Sequence, residues 1–258
     1  MNIVKKILIP FDFSEASLNA LNYAVNFSNK EEEMELELLH IISSDIEVIN
    51  NIDSDLKRIA SKYTNDLKKP IKWSIHTTTL SDTVLKYQQQ QKFDLIIMGT
   101  KGTHEDENTT TAKLIHKIDC SILVVPEKYK KFALKKIALT IDKNKINDTD
   151  ILKILLDTTR RFDASVEVIT ILNNESAYSN ADDHNENLLQ YYLENFYSDH
   201  SFIRSSDIEK GIFDFVKDHN IDMLTILPRN HAKKMTPSKG KLVNLIAKHS
   251  KIPVLALD

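Results

Sequence analysis

The sequence predicts an α/β protein made of two consecutive parallel-sheet units, and three observations lead there. Short apolar runs, such as Lys5-Lys-Ile-Leu-Ile-Pro-Phe-Asp12, alternate with segments of helical periodicity. The runs are too uniformly apolar to face water on one side, which fits a parallel sheet covered on both faces. The pattern then restarts. Lys135-Lys-Ile-Ala-Leu-Thr-Ile-Asp142 repeats the first run at an offset of 130 residues, and Asp222-Met-Leu-Thr-Ile-Leu227 repeats Asp94-Leu-Ile-Ile-Met-Gly99 at 128. Lys251-Ile-Pro-Val-Leu-Ala-Leu-Asp258 repeats Cys120-Ser-Ile-Leu-Val-Val-Pro-Glu127 at 131. Three correspondences in order at nearly one offset indicate an internal duplication.

The first strand is Lys5 to Asp12, stopped by Pro10 and Asp12. Ser14 is a good N-cap for a helix on which Leu18, Leu21 and Val25 share a face. Leu36 to Ile42 is the second strand. Ile52, Leu56, Ile59 and Tyr63 mark one face of a long helix ending before Pro70. Ile71 to His76 is the third strand, Ser81 caps the next helix, and that helix runs through Gln88–Gln91. Asp94 to Met98 is the fourth strand and leads into a glycine turn. A helix over Thr110 to Lys117 then precedes the fifth strand, Ile122 to Val125.

In the second copy, helices are predicted over Asp148–Arg161, Glu186–Tyr197 and Asp207–His219, with strands at Val166–Leu172 and Phe202–Arg204. The polar stretch Asn173 to Asn185, with Asp182-Asp-His184 inside it, reads as a loop rather than a metal site, because no second ligand cluster has suitable spacing. The charged Glu127-Lys-Tyr-Lys-Lys131 reads as linker. The expected division is 1–127, linker 128–134, and 135–258.

Composition excludes several classes. The chain of 258 residues carries a net charge of -3, so no basic field argues for nucleic acid or an anionic membrane surface. No apolar run approaches the roughly 18 residues needed to span a bilayer. The opening Met-Asn-Ile-Val-Lys-Lys runs directly into a strand, so a cytoplasmic protein without a signal peptide is expected. Cys120 stands alone in an apolar run and reads as a buried hydrophobe. The nine histidines show no metal-ligand spacing, and no nucleophile stands with its base, so no catalytic residues are assigned.

The most informative stretch is Asp94-Leu-Ile-Ile-Met-Gly99-Thr-Lys-Gly102. Glycines at the end of a strand let backbone N–H groups close on phosphate just before a helix. Together with Ile7-Leu-Ile-Pro-Phe-Asp-Phe-Ser-Glu-Ala-Ser17, Glu37-Leu-Leu-His-Ile41 and Ser121-Ile-Leu-Val-Val-Pro126, it resembles the universal stress protein family. The likeness is close in the first half and looser in the second, so the chain resembles a tandem member. The resemblance implies two doubly wound, parallel, five-stranded sheets of order 3-2-1-4-5 with helices on both faces. It also implies that the halves pair through their fifth strands as an intramolecular pseudo-dimer, and a homodimer remains a possible further step.

Some members of that family bind ATP through G-x2-G-x9-G-[ST], helped by an aspartate ending the first strand. Here Asp12, Gly99 and Gly102 match. Nine residues past Gly102 lie Ala112 and Lys113 instead of Gly-Ser, while alignment back from the fifth strand puts Asn108-Thr109 at that step and shortens the loop. Asp12 is open to two readings, ribose ligand or strand-to-helix turn. His40 reads as structural. The intervening Thr103-His-Glu-Asp-Glu107 sets three carboxylates beside the phosphate position. At ~6 Å and an effective dielectric of ~40, each like-charge pair costs about 1.4 kcal/mol, unless Mg²⁺ bridges carboxylate and phosphate.

In the second copy Leu227-Pro-Arg-Asn230 replaces the glycines, and Arg229, His231, Lys233, Lys234, Lys239 and Lys241 follow. Two expectations come from comparing the copies. The glycines are not required by the fold, and the acidic and basic loops attract one another. The favoured function is a non-catalytic stress-response protein acting on an unknown protein partner, with a decayed nucleotide site. The alternative is an ATP-binding regulator using Asp12, Gly99, Gly102, Asn108 and Thr109 with Mg²⁺.

Overall fold

A computed structural model of the chain describes residues 3–28, 31–42, 46–101, 114–115, 117–141, 146, 148–172, 185–227 and 249–258. The first half runs β1 (Lys6–Pro10), α1 (Glu15–Ser28), β2 (Glu35–Ile41), α2 (Ile46–Ser61), β3 (Lys72–His76), α3 (Leu80–Gln91), β4 (Leu95–Thr100) and β5 (Ile122–Pro126). The second half runs β6 (Lys136–Ile141), a 3-10 turn (Thr149–Leu152), α4 (Lys153–Phe162), β7 (Ser165–Leu172) and α5 (Glu186–Leu193). A further 3-10 turn (Glu194–Phe196), β8 (Tyr197–Arg204), α6 (Ile208–Asp218), β9 (Met223–Ile226) and β10 (Val254–Ala256) complete it.

The strands form one ten-stranded sheet of order β3-β2-β1-β4-β5-β10-β9-β6-β7-β8; two five-stranded sheets meeting through their fifth strands were expected, and here β5 and β10 are hydrogen-bonded into one mixed sheet. Its pairings are parallel except at the centre, where β5 and β10 run antiparallel with Val254 opposite Val124. The merger has a plain cause. Strands β5 and β10 are apolar and buried at every position, and pairing them satisfies two edges that would otherwise expose unpaired backbone groups.

The aspartates that open the second repeated run, Asp94 and Asp222, have a structural role. Asp94 Oδ2 accepts the amides of Lys5 and Lys6 at 2.8 Å each, and Asp222 Oδ2 accepts those of Lys135 and Lys136 at 2.9 and 3.1 Å. Each carboxylate thus ties the start of one central strand to the start of its neighbour. Buried clusters lie on both sheet faces. Residues of α1, α2, α4 and α5 pack on one, those of α3 and α6 on the other.

Several boundaries differ from expectation. The N-cap of α3 is Thr79, whose hydroxyl accepts from the Asp82 amide, and not Ser81. Strand β8 begins at Tyr197, five residues before the predicted Phe202, because a 3-10 turn ends the preceding helix early. The predicted helix 110–117 falls mostly outside the described residues, although Leu114 and Ile115 are helical and buried.

The linker is also more than a charged connector. Tyr129 and Leu134 are buried, and Phe132 packs on Tyr23 with ring centroids 4.9 Å apart. The buried Asn19 amide of α1 donates to the carbonyls of Pro126 and Tyr129 at 2.9 and 2.8 Å. Beside it, the Phe27 and Phe162 rings meet at 5.3 Å, with the Arg161 guanidinium 4.9 Å from the Phe27 ring centroid. Arg161 Nη2 donates to Asp157 Oδ2 at 2.9 Å, and the same carboxylate accepts the Ile3 and Val4 amides. A helix of the second half therefore fastens the first strand of the chain.

Candidate functional site

In the first half strand order reverses between β1 and β4, and the carboxyl ends of two such strands bound the crevice where open α/β sheets hold ligands. Two of the five predicted site residues are brought together there. Asp12 follows β1, and Gly99 lies in β4, which continues through Gly99 to Thr100 rather than ending at Met98. Gly102, Asn108 and Thr109 lie outside the described residues, as do the acidic stretch 103–107 and the basic stretch from Arg229 to Lys241.

The turn at Asp12 is built around α1. Asp12 Oδ1 accepts the Ser14 amide at 3.0 Å. The Ser14 hydroxyl accepts the Ser17 amide at 3.2 Å, as an N-cap does, and the Ser14 carbonyl accepts the Leu18 amide. The Ser17 hydroxyl donates back to the Ser14 carbonyl at 3.0 Å. Burial pushes the Asp12 carboxyl up, but hydrogen bonds from the Ser14 hydroxyl and amide and from Ser17 outweigh it and hold it below the usual range. Its negative charge sits at the start of a helix, where the macrodipole favours it.

Phe13, between these residues, has φ of 64°, a left-handed conformation costly for a bulky side chain by about 1–2 kcal/mol. Its ring stands edge-on to Phe11 and to His40, each with centroids 5.1 Å away. The buried His40 donates its Nδ1–H to the Phe11 carbonyl at 2.6 Å, which fixes the ring. His40 thus has the structural place expected of it. Phe13 went unnoticed in the sequence, because a phenylalanine carries no signal for a left-handed turn.

Gly99 overturns an expectation. A Cβ placed on it would overlap the Ala16 carbonyl and lie 2.9 Å from the Ser17 amide nitrogen. The glycine therefore lets the first turn of α1 press directly on β4, and the fold of this half requires it. The second half enters its helix differently. Seven residues separate β6 from the next helical turn, against four between β1 and α1, and Leu227 with its full side chain follows β9. The sister copy, with Leu227 at the position matching Gly99, thus has a longer approach to its helix.

The expected attraction between the acidic and basic stretches also meets a geometric obstacle. Strand β4 is parallel to β5, β9 is parallel to β10, and β5 and β10 are antiparallel. Chain leaving β4 and chain leaving β9 therefore depart from opposite rims of the sheet.

At the crevice the Ser14 hydroxyl also lies 3.4 Å from the Ser17 hydroxyl. Among the described residues no group of three or more His, Cys, Asp or Glu could hold a metal ion, and no helix is long and apolar enough to cross a membrane. Cys120 is buried, and burial pushes its thiol up to about 12.

Residues 4–126 match the family model described as the Universal stress protein family, from just before β1 to the last residue of β5. This stretch is similar to a universal stress protein domain. A universal stress protein of Methanocaldococcus jannaschii is 27% identical over 142 residues, covering 48% of this chain and 83% of its own length. A solved universal stress protein from Archaeoglobus fulgidus is 18% identical, with TM-score 0.70, covering 98% of this chain and 97% of that one. The likeness in fold thus extends past the matched stretch to the whole chain. The cytoplasmic domain of a prokaryotic cation chloride cotransporter also shares the fold, at 11% identity and TM-score 0.60 over 98% of this chain and 95% of that one. The architecture by itself therefore does not dictate one activity.

Proposed function

We propose that the chain is a tandem universal stress protein, divided 1–127, 128–134 and 135–258. In this reading it acts in the cytoplasm as a non-catalytic stress-response regulator, through contact with other proteins. Its halves form a pseudo-dimer within one chain, and its ancestral nucleotide site has decayed. The observation that carries the reading is the use already made of the matching residues. Asp12 turns β1 into α1 and places a carboxylate at the helix start, where a bound nucleotide would need its phosphates. Gly99 presses on Ala16 and so serves packing.

A second reading has its own support, because Asp12 follows β1 and Gly99 lies in β4, the two strands that flank the switch point of the sheet. In it, Asp12, Gly99, Gly102, Asn108 and Thr109 would hold an adenine nucleotide, with Mg²⁺ shared between phosphates and the carboxylates of Glu105, Asp106 and Glu107. The magnesium would supply charge neutralisation, and the chain would supply the turn and the backbone donors.

Calorimetric titration with ATP, with and without Mg²⁺, on wild type and Gly102→Val separates the two. Dissociation constants weaker than about 1 mM throughout are expected. Tighter binding that Gly102→Val abolishes would establish the nucleotide reading instead.

A further inference from the structure

We infer that a belt of lysines along one rim of the sheet is a docking surface for a short, flexible, acidic segment of a partner protein. The inference rests on the reading of the chain as an interaction protein and names the surface involved. Because β5 and β10 are antiparallel, one rim collects the carboxyl ends of β4 and β5 and the amino ends of β10, β9 and β6. These five neighbours span about 19 Å at the usual strand spacing of ~4.8 Å.

Lys101 follows β4, Lys251 precedes β10, and Lys135 and Lys136 open β6; all four are exposed. The linker bridges the rim from β5 to β6. It turns Tyr129 and Leu134 inward and leaves Lys128, Lys130 and Lys131 exposed.

Little on this rim, among the described residues, neutralises the belt. Among the described residues at these strand ends the carboxylates are Glu127 and Asp222. Asp222 is committed, accepting the Lys135 and Lys136 amides and lying 3.6 Å from Lys131 Nζ. Lys135 Nζ donates to the Phe162 carbonyl, and Lys136 Nζ lies 3.8 Å from Glu167. The ammonium groups of Lys101, Lys128, Lys130 and Lys251 remain without a carboxylate partner among the described residues.

The chemistry favours a peptide over a nucleic acid. The belt consists of lysines, which act as point charges, and the linker rings among them are occupied, Tyr129 being buried and Phe132 packed on Tyr23 and Phe162, so bases find no stacking platform there. The net charge of -3 repels a long polyanion, whereas a short acidic segment senses the local field within a Debye length of about 8 Å.

The test measures fluorescence anisotropy of a labelled peptide of about twelve alternating Glu and Asp residues on the full chain, at about 50 and about 500 mM salt. The variant K101E/K128E/K130E/K251E is compared with K57E/K62E/K68E/K86E, which makes the same change of net charge at exposed lysines of α2, the turns that follow it, and α3. Salt-sensitive binding to wild type is expected, weakened about tenfold or more by the belt variant and less than about twofold by the control. Equal losses in both variants, absence of binding at low salt, or tighter binding of a single-stranded oligonucleotide of equal charge would each overturn the assignment. Melting curves establish that both variants are folded. The ATP titration uses wild type and Gly102→Val and neither the peptide nor the belt variant, so failure of this surface and failure of the broader reading are read out separately.

Discussion

The Cα of Gly99 rests against the carbonyl of Ala16, so the fourth strand and the first helix meet without room for a methyl group. This contact holds the start of α1 over the crevice and sets where Asp12 and Ser14 stand. A glycine that reads as part of a phosphate loop is here a packing residue.

Replacing Gly99 by alanine is therefore expected to cost stability directly. Overpacking against backbone, which cannot rotate aside, costs about 1–3 kcal/mol or more. Urea denaturation of G99A should show a lowered midpoint with an unchanged slope, and an unchanged midpoint would mean that the helix yields freely.

Arg161 and Asp157 form an ion pair with both side chains 6% exposed. Burial lowers the Arg161 pKa, against the pull of Asp157 and Glu31. Removing one partner strands the other in a low-dielectric site, so Arg161→Met is expected to cost about 3–5 kcal/mol. The double replacement R161M/D157L should recover part of that loss, although the Ile3 and Val4 amides then lack their acceptor. Chemical denaturation of the three proteins checks the sign of the coupling.

Glu35 is held by Lys72 and Lys69 at 2.9 and 3.0 Å, and these hydrogen bonds depress its pKa from 4.5 to about 2. The folded-state value lies below the unfolded one, so the stabilisation is present above about pH 4.5 and is lost as pH falls toward 2. Both lysines are solvated, which reduces the contribution to about 1 kcal/mol. Glu35→Gln should be less stable than wild type at pH 7, and the two stabilities should converge across that acidic window. A gap that persists at pH 2 would assign the effect to packing.

Cys120 should resist alkylation in the native state, because burial both raises the thiol pKa to about 12 and blocks access. Iodoacetamide at about pH 8 is expected to label it only after denaturant is added, and rapid native labelling would contradict its burial.

Much of this architecture was legible because it rests on local apolar runs. Ile7, Leu8 and Ile9 are fully buried, as a strand covered on both faces must be, and the repeated Asp94 and Asp222 each proved to be a backbone clasp. Less was legible where tertiary contact decides. Nothing in Glu127–Lys131 advertised that Tyr129 would be buried, since the surrounding lysines dominate the composition. Tyr197 to Ser201 looked too polar for a strand, yet β8 lies at the edge of the sheet, where one side faces water. At the site, Asp12 and Ser14 were readable from their capping chemistry. The role of Gly99 was not, because the residue it touches lies 83 positions earlier in the chain.

The antiparallel junction of β5 and β10 makes the two halves face away from each other. Each half turns its switch point toward a different side of the molecule, so an occupant of one crevice neither crowds nor competes with an occupant of the other. Among the described residues the two switch points are linked through the shared sheet.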